Sequence, residues 1–480
     1  MVFTSFAFLI FISIVLVLYW YIFNKNLRVQ NALILCSSYF FYGWWDWRFL
    51  GLIVFSSFTD YFVGLAVHNS DNIKKRKFLL AISITVNIGL LAFFKYFNFF
   101  IESANDLLLT FGFNSSINTL RIILPVGISF YTFQTLSYTI DIYRQKIEPT
   151  RSVLTFFTFV AFFPQLVAGP IERAARLIPQ FENPLRFSYP QASSGLKMML
   201  WGFFKKMVIA DQLAFLVDAV YGSPEKFGGA AIILATFLFG FQIYCDFSGY
   251  SDIAIGTARL FGIELMINFR TPYFATSFRH YWHRWHISLS TWFRDYVYIP
   301  LGGSKSGSVR TAQNILTTFV ASGLWHGANV TFLIWGFIHG TVYIIEQSVS
   351  PLIRLPRSLK NGIGWFITFA IVNFSWLFFR AESASRAFFM LKKMTSDFQN
   401  LTAFKYLLVS NGSFTEPAKM LVFAFPVFLV TEFFIGKRTF DSVLHPIPVA
   451  VRWGFYYLIV LMILFLGVLK SAPQFIYFQF

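Results

Sequence analysis

Long apolar segments separated by short polar stretches recur along the whole chain. A helix needs about twenty apolar residues to cross the hydrocarbon core of a membrane. The runs that approach this length are residues 2–23, 47–67, 78–101, 231–245, 331–345, 364–379, 421–435 and 451–468. Some of these runs are short or interrupted, so the pattern predicts about 9 to 12 membrane spans. The fold class that follows is an all-α integral membrane protein.

One apolar passage contains residues that interrupt helices. The segment FVAFFPQLVAGPIERAARLIPQF includes Pro164, Gly169, Pro170 and Pro179. Proline removes a backbone donor and restricts the residue before it, so we expect the helices to break here. Broken helices at membrane depth occur where they are buried in protein or line a cavity. Residues 162–170 are therefore interpreted as a re-entrant segment at a substrate path, and a short helix with an interfacial loop is the alternative.

Two further segments predict particular arrangements. Residues 195–217 mix lysines with apolar residues, which is typical of a helix lying in the cytoplasmic interface. Residues 311–325 are too short to cross about 30 Å as a helix, and basic residues lie on both sides of residues 311–345. This predicts a hairpin whose turn is at His326 and which places that histidine deep in the protein.

Composition supports a membrane protein. Hydrophobic residues make up 56% of the 480 residues and charged residues 13%, far below the roughly 25% of soluble domains. The net charge of +17 comes from short basic loops, which the positive-inside rule and anionic lipid explain better than nucleic acid does. The basic loop at 74–77 predicts a cytoplasmic turn and an N-terminus outside. We expect a single polytopic membrane domain over residues 1–480.

Candidate chemistry concentrates in the histidines. Five of the seven lie within sixty residues: His280, His283, His286, His326 and His339. A neutral imidazole can take a proton from a hydroxyl as it attacks an acyl carbon, and His326 suits that role at the predicted helix break. The small Gly327 and Ala328 would let a substrate approach. His286 could orient or polarise the acyl donor, although a structural role or aromatic interfacial packing is the alternative for each.

Other histidines, the cysteines and two aspartates are candidates for metal binding or catalysis. His280, His283 and His286 are three residues apart and could share a metal if they spread over roughly 120° of a helix, but we expect no metal. Cys36 and Cys245 lie inside apolar segments and offer neither a disulfide framework nor a cysteine metal site. Asp246 and Asp252 are expected to hydrogen bond to backbone or arginine rather than to take a direct catalytic part.

Several motifs together resemble a known family. They are RHYWHRWHISLSTWFRDYVYIPLGGS, SGLWHGANVTFLIWGFIHG, LPVGISFYTFQTLSYTIDIYR, FFPQLVAGPI and YCDFSGYSDIAIGTARLFGI. They are similar to the membrane-bound O-acyltransferase (MBOAT) superfamily, in its bacterial alginate and polysaccharide O-acetyltransferase branch. The two characteristic histidines of the family correspond to His286 and His326. The chain departs from the branch at His283, where arginine is usual, so no family role is assigned to that residue.

The resemblance implies a fold and an activity. The fold would be a helical bundle with re-entrant segments around a funnel, whose tunnel meets at His326. The activity would be acetyl transfer from a cytoplasmic donor such as acetyl-CoA, across the bacterial cytoplasmic membrane, for O-acetylation of an exported or cell-envelope polysaccharide. An extracytoplasmic SGNH-like acetyltransferase is the expected partner, membrane lipid surrounds the protein, and neither nucleic acid nor a bound cofactor is expected. D-alanyl transfer to teichoic acid, or a lipid or sugar transporter, are the alternatives.

The basic cytoplasmic face provides candidates for donor binding. Arg279, Arg284 and Arg294 lie in a stretch with six basic residues and one acidic residue between 270 and 310. Guanidinium groups bind phosphate by charge-assisted hydrogen bonds, so these arginines are predicted to hold the phosphates of coenzyme A.

The C-terminal segment 471–480, SAPQFIYFQF, carries four aromatic residues in its last six positions. Pro473 is expected to stop the preceding helix so that the end of the chain folds back. One interpretation is an aromatic anchor at the bilayer surface. The other is that Tyr477 reaches the funnel and accepts the acyl group on its phenolic oxygen, activated by His326. The D-alanyl transfer branch of the family relies similarly on a partner peptide with a C-terminal tyrosine motif.

Overall fold

The computed structural model describes residues 1–480 except 114–117, 121, 168, 306, 399, 411, 437, 470–472 and 479–480, and it leaves out the side chains of residues 410 and 478. Over the described residues the chain is almost entirely helical, so the all-α prediction is confirmed. The chain forms two compact units, Met1–Gly195 with Thr257–Met266, and Leu196–Gly256 with Ile267–Phe480. The expectation of a single domain, like the funnel, stays a prediction.

The first unit is built from apolar helices of very different lengths. They are α1 (Phe6–Val17), α2 (Leu27–Asp46), α3 (Leu50–His68), α4 (Ile73–Leu91), α5 (Phe97–Thr110), α6 (Ile128–Tyr143), α7 (Val153–Ala161), α8 (Phe163–Leu166) and α9 (Ala174–Glu182). Another helix, α10 (Tyr189–Phe203), continues from this unit into the second.

A buried polar cluster joins three helices of the first unit. Asp60 on α3 is fully buried and accepts hydrogen bonds from Ser83 and Asn87 of α4 and from Thr139 of α6. A carboxylate inside an apolar bundle is costly unless its oxygens are hydrogen bonded. The cluster therefore fixes the mutual positions of α3, α4 and α6.

The break predicted around residues 162–170 is confirmed. Helix α7 ends at Ala161, Phe162 has an extended ψ of 106°, and α8 contains a single turn. Whether this segment lines a substrate path stays a prediction. The expected break at Pro179 is wrong, because that proline lies inside α9. The helix continues for only three residues beyond Pro179. The backbone N–H that proline lacks is therefore lost close to the end of the helix.

The second unit contains the remaining helices and one short strand pair. The elements are α11 (Asp211–Gly222), α12 (Gly229–Leu260), α13 (Phe278–Trp282), α14 (Ile287–Phe293), α15 (Ser308–His326), α16 (Val330–Val349), α17 (Arg357–Arg380), α18 (Ala384–Ser396), α19 (Thr402–Leu408), β1 (Val409–Ser410), β2 (Ser413–Phe414), α20 (Glu416–Lys419), α21 (Phe425–Ile435), α22 (Phe440–Leu444) and α23 (Val449–Leu466). The strands are antiparallel, with Val409 opposite Phe414.

Helices α15 and α16 form the predicted hairpin. Asn329 begins α16, because its side chain accepts a hydrogen bond from the N–H of Thr331 at 3.0 Å. Glycines allow the two backbones to approach closely. A Cβ on Gly323 would lie 2.2 Å from the carbonyl oxygen of Phe332, and one on Gly336 would lie 2.5 Å from that of Phe319. The turn after His326 is confirmed.

The prediction of an interfacial helix at residues 195–217 is wrong for its central part. Lys205 and Lys206 lie in a π-helical turn, Phe204–Ala210, and are only 3% and 4% exposed. Lys205 pairs with Asp252 at 2.7 Å, and Lys206 pairs with Asp246 at 2.7 Å. Carboxylates of α12 thus replace the water that an interfacial lysine would keep. Asp246 also accepts a hydrogen bond from the backbone N–H of Ile476, as expected, whereas lysine takes the place of the expected arginine.

Six helical segments among the described residues are long and apolar enough to cross a membrane. They are Leu27–His68, Ile73–Thr110, Gly229–Leu260, Arg357–Arg380, Glu416–Ile435 and Val449–Leu466. Two of these segments join two helices each, α2 with α3 and α4 with α5, and several other apolar runs fold into shorter helices, so the expected 9 to 12 spans stay a prediction. Helix α6, for example, has only 16 residues.

Candidate functional site

His326 lies at the end of α15 in an aromatic enclosure within the second unit. The residue is 2% exposed. The centre of its ring is 5.0 Å from that of Trp325, 5.2 Å from that of Trp335 and 5.3 Å from that of Phe379. Such a shell excludes bulk water, which strengthens any electrostatic interaction the imidazole makes. The predicted placement of this histidine deep in the protein agrees with its burial.

Gly327 has no room for a side chain because Phe332 packs against it, and the expectation that it lets a substrate approach stays a prediction. A Cβ at this position would lie 2.0 Å from Cε2 of Phe332, which is itself 5% exposed. Its backbone is extended, with φ −163° and ψ 152°, so the restriction is steric and not conformational. Gly327 therefore lets Phe332 close the turn next to His326.

Gly327→Ala is expected to destabilise the protein by about 1–3 kcal/mol, since overpacking a filled core forces neighbouring side chains to move. Thermal unfolding of the detergent-solubilised protein, followed by loss of the monodisperse size-exclusion peak, measures the effect. Gly362→Ala on α17 is the matched control, because nothing lies within 4 Å of its added Cβ. An equal melting temperature for the two variants would contradict the packing role of Gly327.

His286 is fully buried and held by Asn268. Its Nδ1 lies 3.1 Å from Oδ1 of Asn268, and the same oxygen accepts hydrogen bonds from the N–H and hydroxyl of Ser288. The backbone of His286 has φ 43° and ψ 54°, in the left-handed region. A non-glycine residue there carries strain that its surroundings must offset, and such residues cluster at functional sites. A further hydrogen bond, from the N–H of Ile287 to the backbone carbonyl of Asn268, fixes this turn.

The hydrogen bonds determine the state of the His286 ring. Because Oδ1 of Asn268 accepts from a backbone N–H, it is an oxygen, and Nδ1 of His286 must donate to it. This leaves the lone pair on Nε2. Burial lowers the pKa of His286 to about 3, so the ring is neutral at physiological pH. A neutral imidazole of one tautomer can accept a hydrogen bond or a proton at Nε2.

The end of the chain brings Tyr477 to both histidines. Its ring centre lies 5.7 Å from that of His326 and 6.3 Å from that of His286, which are themselves 6.4 Å apart. Phe247 of α12 contacts both Tyr477, at 4.5 Å, and His286, at 4.6 Å. The expectation that the C-terminal residues fold back agrees with this placement, although Pro473 does not stop the helix: α23 ends at Leu466, before Gly467. Residues 471–472 and 479–480 lie outside the described residues.

The other histidines of the cluster are directed elsewhere. Nε2 of His280 accepts a hydrogen bond from Arg284 at 2.8 Å, and Nδ1 of His283 is 2.7 Å from the carbonyl of Arg279. His339 is buried and bonded to Ser375 at 2.7 Å. In the described part of the chain, groups of three or more potential His, Cys, Asp or Glu metal ligands do not occur.

A cavity of about 670 Å³ in the second unit contains two of the three candidate arginines. Arg279 and Arg294 line it and are exposed, and Arg294 also pairs with Asp295 at 2.8 Å. Ser322, one helical turn before His326, and Ile287, next to His286, also line the cavity. The cavity thus connects exposed positive charge with residues adjoining both histidines.

Arg284 occupies a different place. It is 9% exposed and donates to the carbonyl and hydroxyl oxygens of Thr271, besides binding His280. It is not among the residues that line the cavity. Its guanidinium supports the backbone of Thr271, whose φ is 41°. A part for Arg284 in donor binding stays a prediction.

Sequence reasoning missed two residues of the site. Asn268 orients His286 by a hydrogen bond. Phe247 packs against the rings of both His286 and Tyr477. Phe247 stands in the motif YCDFSGYSD, in which only the carboxylates carry a signal for hydrogen bonding. Asn268 precedes the basic stretch with no local signal of its own.

The chain is similar to a known family and to individual relatives within it. The model described as "MBOAT, membrane-bound O-acyltransferase family" matches residues 145–381. The chain is 38% identical to the probable alginate O-acetylase AlgI of Pseudomonas putida, over 94% of this chain and 90% of that protein. It is 35% identical to a peptidoglycan O-acetyltransferase of Helicobacter pylori, over 77% of this chain and 74% of the relative. Similarity to a teichoic acid D-alanyltransferase of Streptococcus thermophilus is lower, 28% over 53% of this chain and 68% of the relative.

Proposed function

Because this chain belongs to the membrane-bound O-acyltransferase family, and is a multi-pass membrane O-acyltransferase, we propose that it transfers an acetyl group from acetyl-CoA for O-acetylation of an exported or cell-envelope polysaccharide. The convergence of His286, His326 and Tyr477 within 6.4 Å, measured between ring centres, carries the proposal. An imidazole base beside a phenol is an arrangement suited to acyl transfer.

The cavity is the proposed donor site. A thioester entering past Arg279 and Arg294 would leave its phosphates among exposed guanidinium groups and extend its acyl end towards Ser322 and the histidines. Charge-assisted hydrogen bonds to phosphate suit the arginines. The largely apolar wall, which includes Leu289 and Phe319, suits the uncharged arm of the donor.

Arg279→Ala and Arg294→Ala are expected to raise the KM for acetyl-CoA about tenfold each, or ~1.4 kcal/mol, with kcat little changed. The reason is that a phosphate far from the reacting carbon is bound equally in the ground and transition states. Arg310→Ala is the matched control, since Arg310 is exposed on α15 and binds Gln313 instead of lining the cavity. Unchanged KM values in both cavity variants would contradict this donor site.

His326 is the proposed general base, and Tyr477 the first acyl acceptor. Burial raises the pKa of Tyr477 far above its usual range, so its phenol is protonated at neutral pH and needs a base to become a nucleophile. In the proposed step, the phenolic oxygen bonds to the thioester carbonyl carbon while its proton moves to His326. The carbon–sulfur bond then breaks, and the thiolate of coenzyme A leaves and takes up a proton.

His286 is the proposed second member of the site. Its neutral ring donates Nδ1–H to Asn268, so Nε2 carries the lone pair and is the proposed acceptor that orients the phenol or a protonated group. In the second half of the reaction a hydroxyl oxygen of the acceptor bonds to the acetyl carbon, the bond to Tyr477 breaks, and the phenol regains its proton. An extracytoplasmic SGNH-like acetyltransferase is the proposed carrier of acetyl from there to the polysaccharide.

Location and acceptor are part of the same proposal. The relatives are named for the acetylation of alginate and peptidoglycan, which supports a polysaccharide acceptor. The proposed location is the bacterial cytoplasmic membrane, with the acceptor beyond it. The positive loop at 74–77 supports a cytoplasmic turn and an external N-terminus. D-alanyl transfer has weaker support, because the relatives named for it share lower identity over a smaller part of the chain.

The proposal is tested with the purified protein in lipid nanodiscs. Labelled acetyl-CoA is supplied together with an extracytoplasmic acceptor, either alginate or peptidoglycan fragments, and a D-alanyl carrier protein replaces the donor in a parallel reaction. Release of coenzyme A that depends on the protein, with label on the protein or acceptor, is the expected result. Turnover only with the D-alanyl carrier would replace the acetyl proposal, and transport of an acylated compound without transfer would indicate a transporter.

A further inference from the structure

A buried charge cluster connects the π-helical turn Phe204–Ala210 with α12. Nζ of Lys206 lies 2.7 Å from Oδ1 of Asp246 and 2.6 Å from Oδ1 of Asp211. The three residues are 4%, 4% and 1% exposed. Removing charges from water costs several kcal/mol per ion, and a buried pair is weak evidence for stability by itself. The position of this cluster therefore calls for a role beyond holding two helices together.

The second oxygen of Asp246 holds the C-terminal segment. Oδ2 accepts a hydrogen bond from the N–H of Ile476 at 2.7 Å. Nζ of Lys206 also lies 3.5 Å from the carbonyl oxygen of Pro473. Just before the segment, the N–H of Val468 donates to the carbonyl of Met207 at 3.0 Å. The end of the chain is thus attached both to the turn that carries Lys206 and to α12.

The same part of α12 also contacts the reacting residues. Phe247 follows Asp246 directly, and its ring packs against both Tyr477 and His286. Ile476–Phe478 forms a single 3₁₀ turn, which cannot hold its own position without tertiary contacts. Asp246 therefore fixes the backbone one residue before Tyr477, while Phe247 contacts the side chain.

We propose that the buried Lys206–Asp246 pair is a positioning device that keeps the C-terminal segment docked, so that the phenol of Tyr477 stays beside His286 and His326. Lys206 orients the carboxylate of Asp246, and the carboxylate holds the N–H of Ile476. Both are positioning residues that act through Tyr477. Their effect on catalysis rests on the proposed acyl relay, whereas the docking of the segment does not.

The test measures docking and catalysis separately in the full-length protein in nanodiscs. Hydrogen exchange followed by mass spectrometry reports on the peptide that contains residues 473–478. In Asp246→Ala we expect these amides to exchange about tenfold faster or more, since a hydrogen bond to a charged group is lost. We also expect kcat for acceptor acetylation to fall while the KM for acetyl-CoA stays the same. Asp252→Asn is the matched control, because the Lys205–Asp252 pair joins the same two elements and Lys205 otherwise bonds Ser248 of α12.

A second variant keeps the test independent of the buried charges. Ile476→Pro removes the N–H that Asp246 accepts, and proline is tolerated at the first position of a helical turn. Ile476→Ala loses side-chain volume but keeps the N–H, so it should lose less protection and less kcat than Ile476→Pro. If Asp246→Ala does not fold, this pair carries the test.

The possible outcomes separate the two proposals. Unchanged exchange in folded Asp246→Ala, equal exchange in the two Ile476 variants, or the same kcat loss in Asp252→Asn would overturn the positioning role. Tyr477→Phe keeps the Lys206–Asp246 pair and its hydrogen bond to Ile476. The amides of residues 473–478 should therefore exchange as slowly as in the wild type. A fully active Tyr477→Phe with slow exchange would remove the relay and its kinetic consequences while leaving the docking by Asp246 supported.

Discussion

Replacing His326 by alanine is expected to reduce acyl transfer about 10²–10⁴-fold, the contribution typical of a positioned general base. The phenol of Tyr477 would remain close to the donor but would have no group to receive its proton. Labelled acetyl transfer by the purified variant measures the loss, and the size-exclusion profile reports on folding. Because the loss arises in the chemical step, kcat should fall while the KM for acetyl-CoA changes little.

The control for this prediction is another histidine of the second unit. His445→Ala removes an exposed imidazole at the end of α22, away from the aromatic enclosure, and should leave transfer unchanged. The His326→Ala protein should also fail to form acetyl-Tyr477 when the acceptor is withheld. Near-normal transfer by a folded His326→Ala protein would exclude the residue as the base and leave His286 as the remaining candidate.

The hairpin at His326 was predictable because its determinants are local. A run of fifteen residues is too short to span, basic residues flank both helices, and the turn contains Gly327 and the capping Asn329. Each of these signals can be recognised from neighbouring residues alone. The resemblance of the WHG and RWHISLS motifs to the family identified His326 and His286 as site residues. The structure brings these two histidines together from different elements.

The supporting residues of the site could not be predicted because they depend on distant packing. Asn268 is 18 residues before His286 and reaches it only after the left-handed turn at His286 is formed. Lys206 and Asp246 are 40 residues apart, and the mixed lysine and apolar pattern around Lys206 looks the same whether its charge faces water or a buried carboxylate. Composition alone therefore cannot tell a lysine that faces water from one that is paired with a buried carboxylate.

The arginines show the same limit. Local charge density identified a basic stretch, but it did not separate the cavity-lining Arg279 and Arg294 from Arg284, which turns inwards to Thr271. The direction of each side chain depends on short helices and on irregular backbone between residues 268 and 286. Charge density therefore identifies a basic stretch from the sequence, whereas the contacts of each arginine can be assigned only from the fold.

Tyr477→Phe is expected to abolish acetylation of the acceptor while the protein stays folded. Phenylalanine keeps the ring that packs against Phe247, Phe475 and His326, so the C-terminal segment should remain docked. Only the phenolic oxygen is lost, and with it the proposed nucleophile. Transfer from labelled acetyl-CoA to the acceptor is the measurement, and Tyr457→Phe, an exposed tyrosine on α23, is the control.

The same change distinguishes three mechanisms. If Tyr477 carries the acetyl group, the wild type incubated with acetyl-CoA and no acceptor should show acetyl-Tyr477 by mass spectrometry, and addition of acceptor should remove it. If His326 activates the acceptor hydroxyl directly, Tyr477→Phe should retain activity and the adduct should never form. If the segment is only an aromatic anchor, Tyr477→Phe should be active and Tyr477→Ala should reduce stability instead. The ring distances of 5.7 and 6.3 Å to the two histidines favour the first mechanism, because an anchor at a membrane surface has no reason to place its phenol beside both.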